Sequence, residues 1–186
     1  VQLTGRGVSY CALCDGNFFR DQVVAVVGGG NSALEEALYL SRIVRKLYLI
    51  HRREGFRGAK IYQDKIREAS DKIELVLDSV VTELLGEEFL GGVRVKNVKT
   101  GVESQLDVDG LFVFVGYDPQ NSFFPPELAV DARGFVLTDC EMRTNLPGVF
   151  AAGDIRSKLC RQVATAVGDG ATAATAAFTY LEQLDT

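Results

Sequence analysis

Two cysteines lie two residues apart near the start of the chain, in the stretch SYCALCDGNFF. Cys11 and Cys14 could clamp a metal ion, belong to a thioredoxin-like domain, or open and close as a redox pair. Zinc usually takes four ligands, but Cys140 and Cys160 stand alone and the chain has one histidine, so no metal site is expected. A thioredoxin-like domain encloses its CxxC within one small fold, whereas this pair precedes a nucleotide-binding pattern. The residues therefore favour a reversible dithiol, with Asp15 as its acid or base.

A glycine-rich loop follows the first strong strand pattern. The β-branched apolar run at 23–27 predicts a buried parallel strand, and the segment after the loop predicts a helix. Between them, Gly28, Gly30 and Ala33 form a GxGxxA pattern. The first glycine permits a tight turn, the second lets a pyrophosphate approach the backbone, and the small third residue lets helix and strand pack closely. With a second strand at 46–50, this is a βαβ dinucleotide-binding unit.

The end of the second strand indicates which dinucleotide is bound. An NAD site expects an acidic residue there, but this chain has HRREGFRG, which contains Arg52, Arg53 and Arg57. Three guanidinium groups at that place favour the 2′-phosphate of NADPH, although a solvated charge run is the alternative. His51 is interpreted as a neighbour of this site and not as a general base. At the start of the helix, Asn31 or Ser32 is expected to be the N-cap.

A flavin is the expected relay between a hydride donor and a disulfide. The segment TNLPGVFAAGDIRSKLCRQVATAVGDG suggests where it would bind. A strand ending at Gly153 and Asp154 offers a carboxylate for a polyol hydroxyl, and a helix starting near 161–164 offers main-chain N–H groups for a ring carbonyl.

The remaining patterns predict an α/β fold in two parts. A polar helix is expected at about 59–69, and strands near Leu75, 80–85, 93–98 and Leu106 are expected to form an antiparallel meander. A buried strand in GLFVFVGYDP then closes a Rossmann-like NADPH-binding domain, residues 1–117. Residues 118–186 are predicted to contain a strand at 134–137, a short strand in GVFAAGD and a helix at 161–184. This second part looks too small to enclose a core alone.

Composition excludes several classes of function. The 186 residues carry a net charge of −5, without a long basic face, which argues against a general nucleic-acid binder. No apolar run reaches membrane-spanning length. Four cysteines are too few for a secreted disulfide scaffold, so a reducing, cytoplasmic location is expected.

Taken together, these motifs resemble the prokaryotic-type, low-molecular-weight thioredoxin reductases over essentially the whole chain. The stretches that carry the resemblance are GRGVSYCALCDG, GGGNSALEEALYLS, HRREGFR, GLFVFVGYDPQ, GVFAAGDI and RQVATAVGDG. The resemblance implies an NADPH-dependent flavoprotein in which Cys14 faces FAD, Cys11 attacks the thioredoxin disulfide and Asp15 donates a proton. It places the pyrophosphate at Gly28, Gly30, Asn31 and Ser32, the 2′-phosphate at Arg52, Arg53 and Arg57, and FAD at Gly153, Asp154, Arg161, Gln162 and Val163.

The resemblance also carries expectations about assembly. Family members are homodimers whose NADPH domain rotates against the FAD domain, which here implies hinges near 5–8 and 116–118. Their separate N-terminal FAD-binding segment is not found in this sequence, so residues 118–186 are expected to be the C-terminal part of a FAD domain of the two-dinucleotide-binding-domain flavoprotein type. Two alternatives stay open: a flavoprotein reductase of a peroxiredoxin system, and a non-catalytic NADPH-binding fragment. A ferredoxin or flavodoxin reductase is disfavoured because it would not need the cysteine pair.

Overall fold

The computed structural model describes residues 3–184, and the chain divides into two compact units, Val1–Gly116 and Tyr117–Thr186. The sequence patterns predict the change of domain after Tyr117. Assignment of NADPH to the first part of the chain and of FAD to the second remains a prediction.

The first unit is built on a five-stranded parallel sheet in the order β1-β8-β2-β3-β4. Its strands are β1 (Val8–Ser9), β2 (Val23–Gly28), β3 (Lys46–Ile50), β4 (Ile73–Val76) and β8 (Gly110–Phe114). The helices of this unit are α1 (Ala12–Asp15), α2 (Asn31–Ser41) and α3 (Lys60–Glu68), and a 3-10 turn covers Gly16–Phe19. The predicted βαβ unit, the polar helix and the buried strand in GLFVFVGYDP are all confirmed.

Alternate residues of β2 face opposite sides of the sheet, as the period of a strand requires. Val24 and Val26 are buried with α2 on one face, where Leu34 and Leu40 are also buried. Ala25 faces the other side and packs with the core of the antiparallel sheet described next. Because both faces of β2 are covered, its sequence is continuously apolar.

The antiparallel meander covers that other face. It consists of β5 (Ser79–Leu85), β6 (Gly92–Asn97) and β7 (Glu103–Leu106), paired in sequence order. The prediction of a meander is therefore confirmed for three of its strands. The segment around Leu75 was wrongly included, since β4 pairs in parallel with β3, with Ile73 opposite Leu47. Two of the four side chains of β4 are exposed, as is typical of a meander strand, and this explains the wrong assignment.

The second unit has one long helix, α4 (Val163–Leu184), as the alanine-rich run predicts. A 3-10 turn covers Gly153–Ile155. The two predicted strands are wrong: the segments at 134–137 and in GVFAAGD form only isolated bridges, Val130 to Val136, Val136 to Arg156 and Arg143 to Phe150. Phe135 and Val136 are buried, so the β-like pattern of this segment reflects burial and not a ladder. Within residues 3–184, no helix is long and apolar enough to cross a membrane.

Candidate redox and nucleotide-binding site

The cysteine pair forms a disulfide in the turn that follows β1. Cys11 is the N-cap of α1, and Cys14 lies in its single turn, so the two Cα atoms are 5.3 Å apart. The Cys14 side chain is exposed and Cys11 is half-buried. The Cys14 N–H points to Cys11 Sγ at 3.1 Å, a position from which it would stabilise a thiolate on that sulfur.

The Asp15 carboxylate is held next to this turn by a serine that sequence reasoning missed. Ser9 Oγ donates to Asp15 Oδ2 at 2.6 Å and accepts the Cys11 N–H at 3.1 Å. Ser9 is the last residue of β1 and is almost completely buried. The burial of Ser9 explains this bond, since a buried hydroxyl must find a partner, but that burial is not visible in the sequence pattern.

The glycine loop between β2 and α2 has one tightly packed side and one open side. A Cβ atom on Gly28, which has φ 153°, would lie 2.6 Å from Ala33 Cβ and 2.5 Å from the Phe114 carbonyl oxygen. A Cβ atom on Gly30 would meet nothing within 4 Å. The first glycine therefore allows close packing of helix and strand, whereas the second borders open space that a pyrophosphate group would fit.

The N-terminus of α2 differs from the prediction in one respect. The N-cap is Gly30, without a side-chain cap, so the expectation of Asn31 or Ser32 as N-cap is wrong. Asn31 Oδ1 instead accepts the Ala59 N–H at 2.7 Å. This bond leaves the first N–H groups of α2 uncapped by a side chain, which suits an anion at that end.

The loop that carries the arginines is fastened to the glycine loop by main-chain bonds. The Gly29 carbonyl oxygen accepts the N–H groups of Arg57 and Gly58 at 2.8 Å and 3.0 Å. The side chains of Arg52, Arg53 and Arg57 are exposed, and none forms an ion pair with another residue of the described chain. Glu54, the acidic residue among them, pairs with Lys99 at 3.0 Å. The guanidinium groups are therefore uncommitted.

His51 supports the glycine loop from beneath. Its ring is buried, stacks on Phe56 with centroids 5.3 Å apart, and occupies the space that a side chain on Gly29 would need. Burial lowers the pKa of His51, and the nearby guanidinium groups of the arginine loop lower it further, against a hydrogen bond to the Gly55 backbone. Its Nε2 has no hydrogen-bond partner among residues 3–184. A neutral, packed ring fits a supporting role.

In the second unit, Asp169 organises the loop that carries Gly153. Asp169 Oδ2 accepts the Gly153 N–H at 3.0 Å and pairs with Arg156 and Lys158 at 2.9 Å and 2.8 Å. These donors lower the pKa of Asp169 to about 2, with the Lys158 bond as the largest contribution. No sequence pattern points to Asp169, since a single acidic residue in an alanine-rich helix resembles a solvated side chain.

The other residues assigned to FAD lie on the same loop and at the start of α4. Arg161 donates to the carbonyl oxygens of Asp154, Arg156 and Lys158 at 3.0–3.3 Å, and its guanidinium lies 4.1 Å from the centroid of the Phe135 ring. Arg161 therefore shapes the loop. Asp154, Gln162 and Val163 are exposed. Contact of these residues with FAD remains a prediction.

In the part of the chain that the structure describes, no three His, Cys, Asp or Glu side chains form a cluster that could hold a metal ion. Cys140 and Cys160 are exposed free thiols.

A parallel sheet with a glycine loop, a neighbouring disulfide and a second unit define a class of redox proteins. The profile of the pyridine nucleotide-disulphide oxidoreductase family matches residues 2–170, and the chain belongs to that family. Membership implies nicotinamide and flavin cofactors.

Within this family, the chain is similar to thioredoxin reductases, which confirms the resemblance and the fold class. It is 44% identical to the thioredoxin reductase of Peptoclostridium acidaminophilum over 97% of this chain and 59% of that protein. The crystal structure of the Streptococcus pyogenes thioredoxin reductase matches with a TM-score of 0.87 and 47% identity, over 96% of this chain and 58% of that one. A ferredoxin-flavin thioredoxin reductase from Clostridium acetobutylicum matches at 30% identity and a TM-score of 0.51, over 98% of this chain and 56% of its own. The chain thus spans less than two thirds of the length of these relatives.

We expect Asp169→Asn to destabilise the second unit by about 1.5–3 kcal/mol, the scale of a hydrogen bond to a charged group. The pKa of Asp169 is about 2 in the folded chain, below the ordinary value of 3.8. Its contribution is therefore complete above about pH 4 and is lost as the pH falls towards 2. Thermal unfolding followed by circular dichroism across this pH range measures both effects.

Asp118→Asn is the matched control, because this carboxylate of the same unit is exposed and forms no ion pair within residues 3–184. Equal stability of the two variants at pH 6 would contradict the role given to Asp169.

Proposed function

We propose that this chain belongs to an NADPH-dependent disulfide reductase that passes two electrons through FAD to the Cys11–Cys14 pair and on to thioredoxin. The observation that carries the proposal is the closed disulfide at the end of β1, on the same sheet that bears the glycine loop. A structural disulfide would have no need of this neighbourhood. The names of the relatives add the substrate class, since they are thioredoxin reductases.

Three features support NADPH as the nucleotide. Gly30 has open space beside its Cα, the N-terminal turn of α2 with Asn31 and Ser32 faces solvent, and the arginine side chains have no acidic partner. The pyrophosphate would bind the uncapped N–H groups of α2, and the 2′-phosphate would bind the guanidinium groups. His51 would hold the glycine loop in place without adding a charge.

FAD would be held by the loop that starts at Gly153. Asp154 offers an exposed carboxylate for a hydroxyl group, and Val163, the first residue of α4, offers its main-chain N–H group. Gln162 lies directly before α4, where its own N–H donates to Thr165 Oγ1 at 3.2 Å, so it would line the FAD site through its side chain. Arg161 and Asp169 keep this loop in shape through the bonds described above. When bound, a flavin supplies the step between a two-electron hydride donor and a dithiol. A cytoplasmic homodimer is part of this proposal.

The two cysteines have different roles in this proposal. Cys11 attacks the disulfide of thioredoxin, and Cys14 receives electrons from the flavin side and later closes the pair. Asp15 moves the proton that the exchange requires, because a thiolate attacks and the leaving sulfur must be protonated.

Arginine substitutions test the choice of nucleotide. Arg52→Ala combined with Arg53→Ala should reduce the preference for NADP⁺ over NAD⁺ by about 1–3 kcal/mol, since charged hydrogen bonds to the 2′-phosphate are lost. Dissociation constants of both nucleotides, measured by calorimetry, give this difference directly. Arg42→Ala with Arg45→Ala is the control, because these two arginines are also exposed but lie at the opposite end of α2. An unchanged preference in the first variant would refute the 2′-phosphate assignment.

Cysteine substitutions test the dithiol. Cys14→Ser should abolish reduction of thioredoxin by the flavin-loaded protein, because the remaining thiol cannot close a disulfide. NADP⁺ binding should stay within about twofold, since the glycine loop is unchanged. Cys160→Ser removes an exposed free thiol and should leave both measurements unaltered. Substantial reductase activity in Cys14→Ser, or lost activity in Cys160→Ser, would contradict the proposal.

A further inference from the structure

Ser9 differs from the other buried serines of the described chain. Ser41 and Ser79 donate their hydroxyl protons to main-chain carbonyls two or three residues away, as buried serines commonly do. Ser9 is 4% exposed, and its hydroxyl reaches a carboxylate six residues further on, that of Asp15. A buried hydroxyl that donates to the carboxylate of a redox turn can fix the position of that carboxylate.

One oxygen atom joins the attacking cysteine to the acid. Ser9 Oγ donates to Asp15 Oδ2 at 2.6 Å and accepts the Cys11 N–H at 3.1 Å. The Cys11 carbonyl oxygen, at 3.3 Å, is a longer second acceptor. The short bond to the carboxylate is the stronger one, because an ionised acceptor strengthens a hydrogen bond.

The sheet fixes the position of this hydroxyl. Ser9 lies opposite Phe112 in the parallel pairing of β1 with β8, and β8 is an interior strand of the sheet. Phe112 is fully buried. The cysteines and Asp15 lie in or next to a single helical turn, which alone would not hold a side chain firmly. Because Ser9 is held in the sheet, its hydrogen bonds to Asp15 and Cys11 hold the turn in place.

The hydrogen bond also distinguishes the two carboxylate oxygens of Asp15. Oδ2 accepts the Ser9 proton, whereas Oδ1 accepts no hydrogen bond from any residue in the range 3–184. Oδ1 is thus the carboxylate oxygen that is left open for a proton.

We propose that Ser9 is a positioning residue of the dithiol exchange, which holds Asp15 so that its Oδ1 exchanges a proton with sulfur; this rests on the proposed function. Cys11 gives its proton to Oδ1, and its thiolate attacks one sulfur of the partner disulfide. The mixed disulfide forms as the partner bond breaks, and the leaving sulfur takes the proton from Oδ1. Cys14 then attacks Cys11, and its proton passes through solvent to the second partner sulfur. The chain is oxidised by two electrons and the partner is reduced by two.

A single-turnover reaction of the chemically reduced chain with an oxidised, tryptophan-containing thioredoxin tests this step without flavin or nucleotide. The chain has no tryptophan, so the fluorescence reports the thioredoxin alone. Ser9→Ala removes the hydroxyl, and Ser9→Thr with Ser9→Val forms a second pair of nearly equal size that differs in the hydroxyl. Ser41→Ala is the control for loss of a buried serine hydroxyl outside the turn. Circular dichroism establishes which variants fold.

Ser9→Ala and Ser9→Val should slow the exchange by about ten- to a hundredfold, as expected when a reacting group is misplaced. Ser9→Thr should stay near the unmodified rate, and so should Ser41→Ala. In an Asp15→Asn background, Ser9→Ala should cause no further loss, because its effect passes through Asp15.

The inference would be overturned if Ser9→Ala or Ser9→Val folds and keeps the unmodified rate. It would also be overturned if Ser9→Ala slows the exchange in the Asp15→Asn background as much as it does in the unmodified chain. If Ser9→Ala does not fold, the comparison of Ser9→Thr with Ser9→Val decides. Failure of the unmodified dithiol to reduce thioredoxin would instead refute the proposed function. An unaltered rate in Asp15→Asn alone would overturn the inference, because the effect of Ser9 passes through Asp15, and would remove the proton-transfer role proposed for Asp15.

Discussion

The parallel pairing of β1 with β8 is the contact on which the candidate site depends. Only two residues of β1 take part, with Val8 opposite Leu111 and Ser9 opposite Phe112. The other edge of β8 pairs with β2, whose last residue, Gly28, begins the nucleotide loop. The strand that carries the redox turn and the strand that carries the nucleotide loop are therefore neighbours of the same strand. Disruption of this pairing would detach the disulfide from the sheet, and the redox turn would lose the support of Ser9.

Main-chain and buried contacts keep the functional side chains available. The Gly29 carbonyl binds the arginine loop through two N–H groups, so the guanidinium groups are not needed to hold it. His51 fills the space beneath the same glycine. In the second unit, Asp169 and Arg161 satisfy backbone groups around Gly153, and Asp154 is left exposed. In the arginine loop, main-chain atoms and the His51 ring give the shape, and the guanidinium groups proposed to bind the 2′-phosphate do not, so binding and folding can be separated there by mutation. In the second unit the separation is incomplete, because Arg161 both shapes the loop and is assigned to FAD.

Sequence patterns predict local features of this chain well and relations between distant residues poorly. The buried strands 23–27 and 46–50, the helix between them and the alanine-rich helix follow from period and composition, and the structure confirms them. The N-cap was wrong because Asn31 bonds to Ala59, 28 residues away, instead of its own helix. The bonds of Ser9 to Asp15 and of Asp169 to Gly153 join separate elements, so no local period reveals them. Segment 134–137 has strand-like residues, but strands need neighbours, and it forms only single bridges.

The most direct test of the account is a count of the Cys11 and Cys14 thiols after anaerobic treatment of the flavin-loaded protein with NADPH. Alkylation followed by mass spectrometry of the peptide that contains both residues gives the count, with Cys140 and Cys160 as internal standards, since both are free thiols. The account predicts that both Cys11 and Cys14 become alkylated with NADPH and far more slowly with NADH. A Cys11–Cys14 disulfide that stays closed under NADPH, yet opens with dithiothreitol, would contradict it.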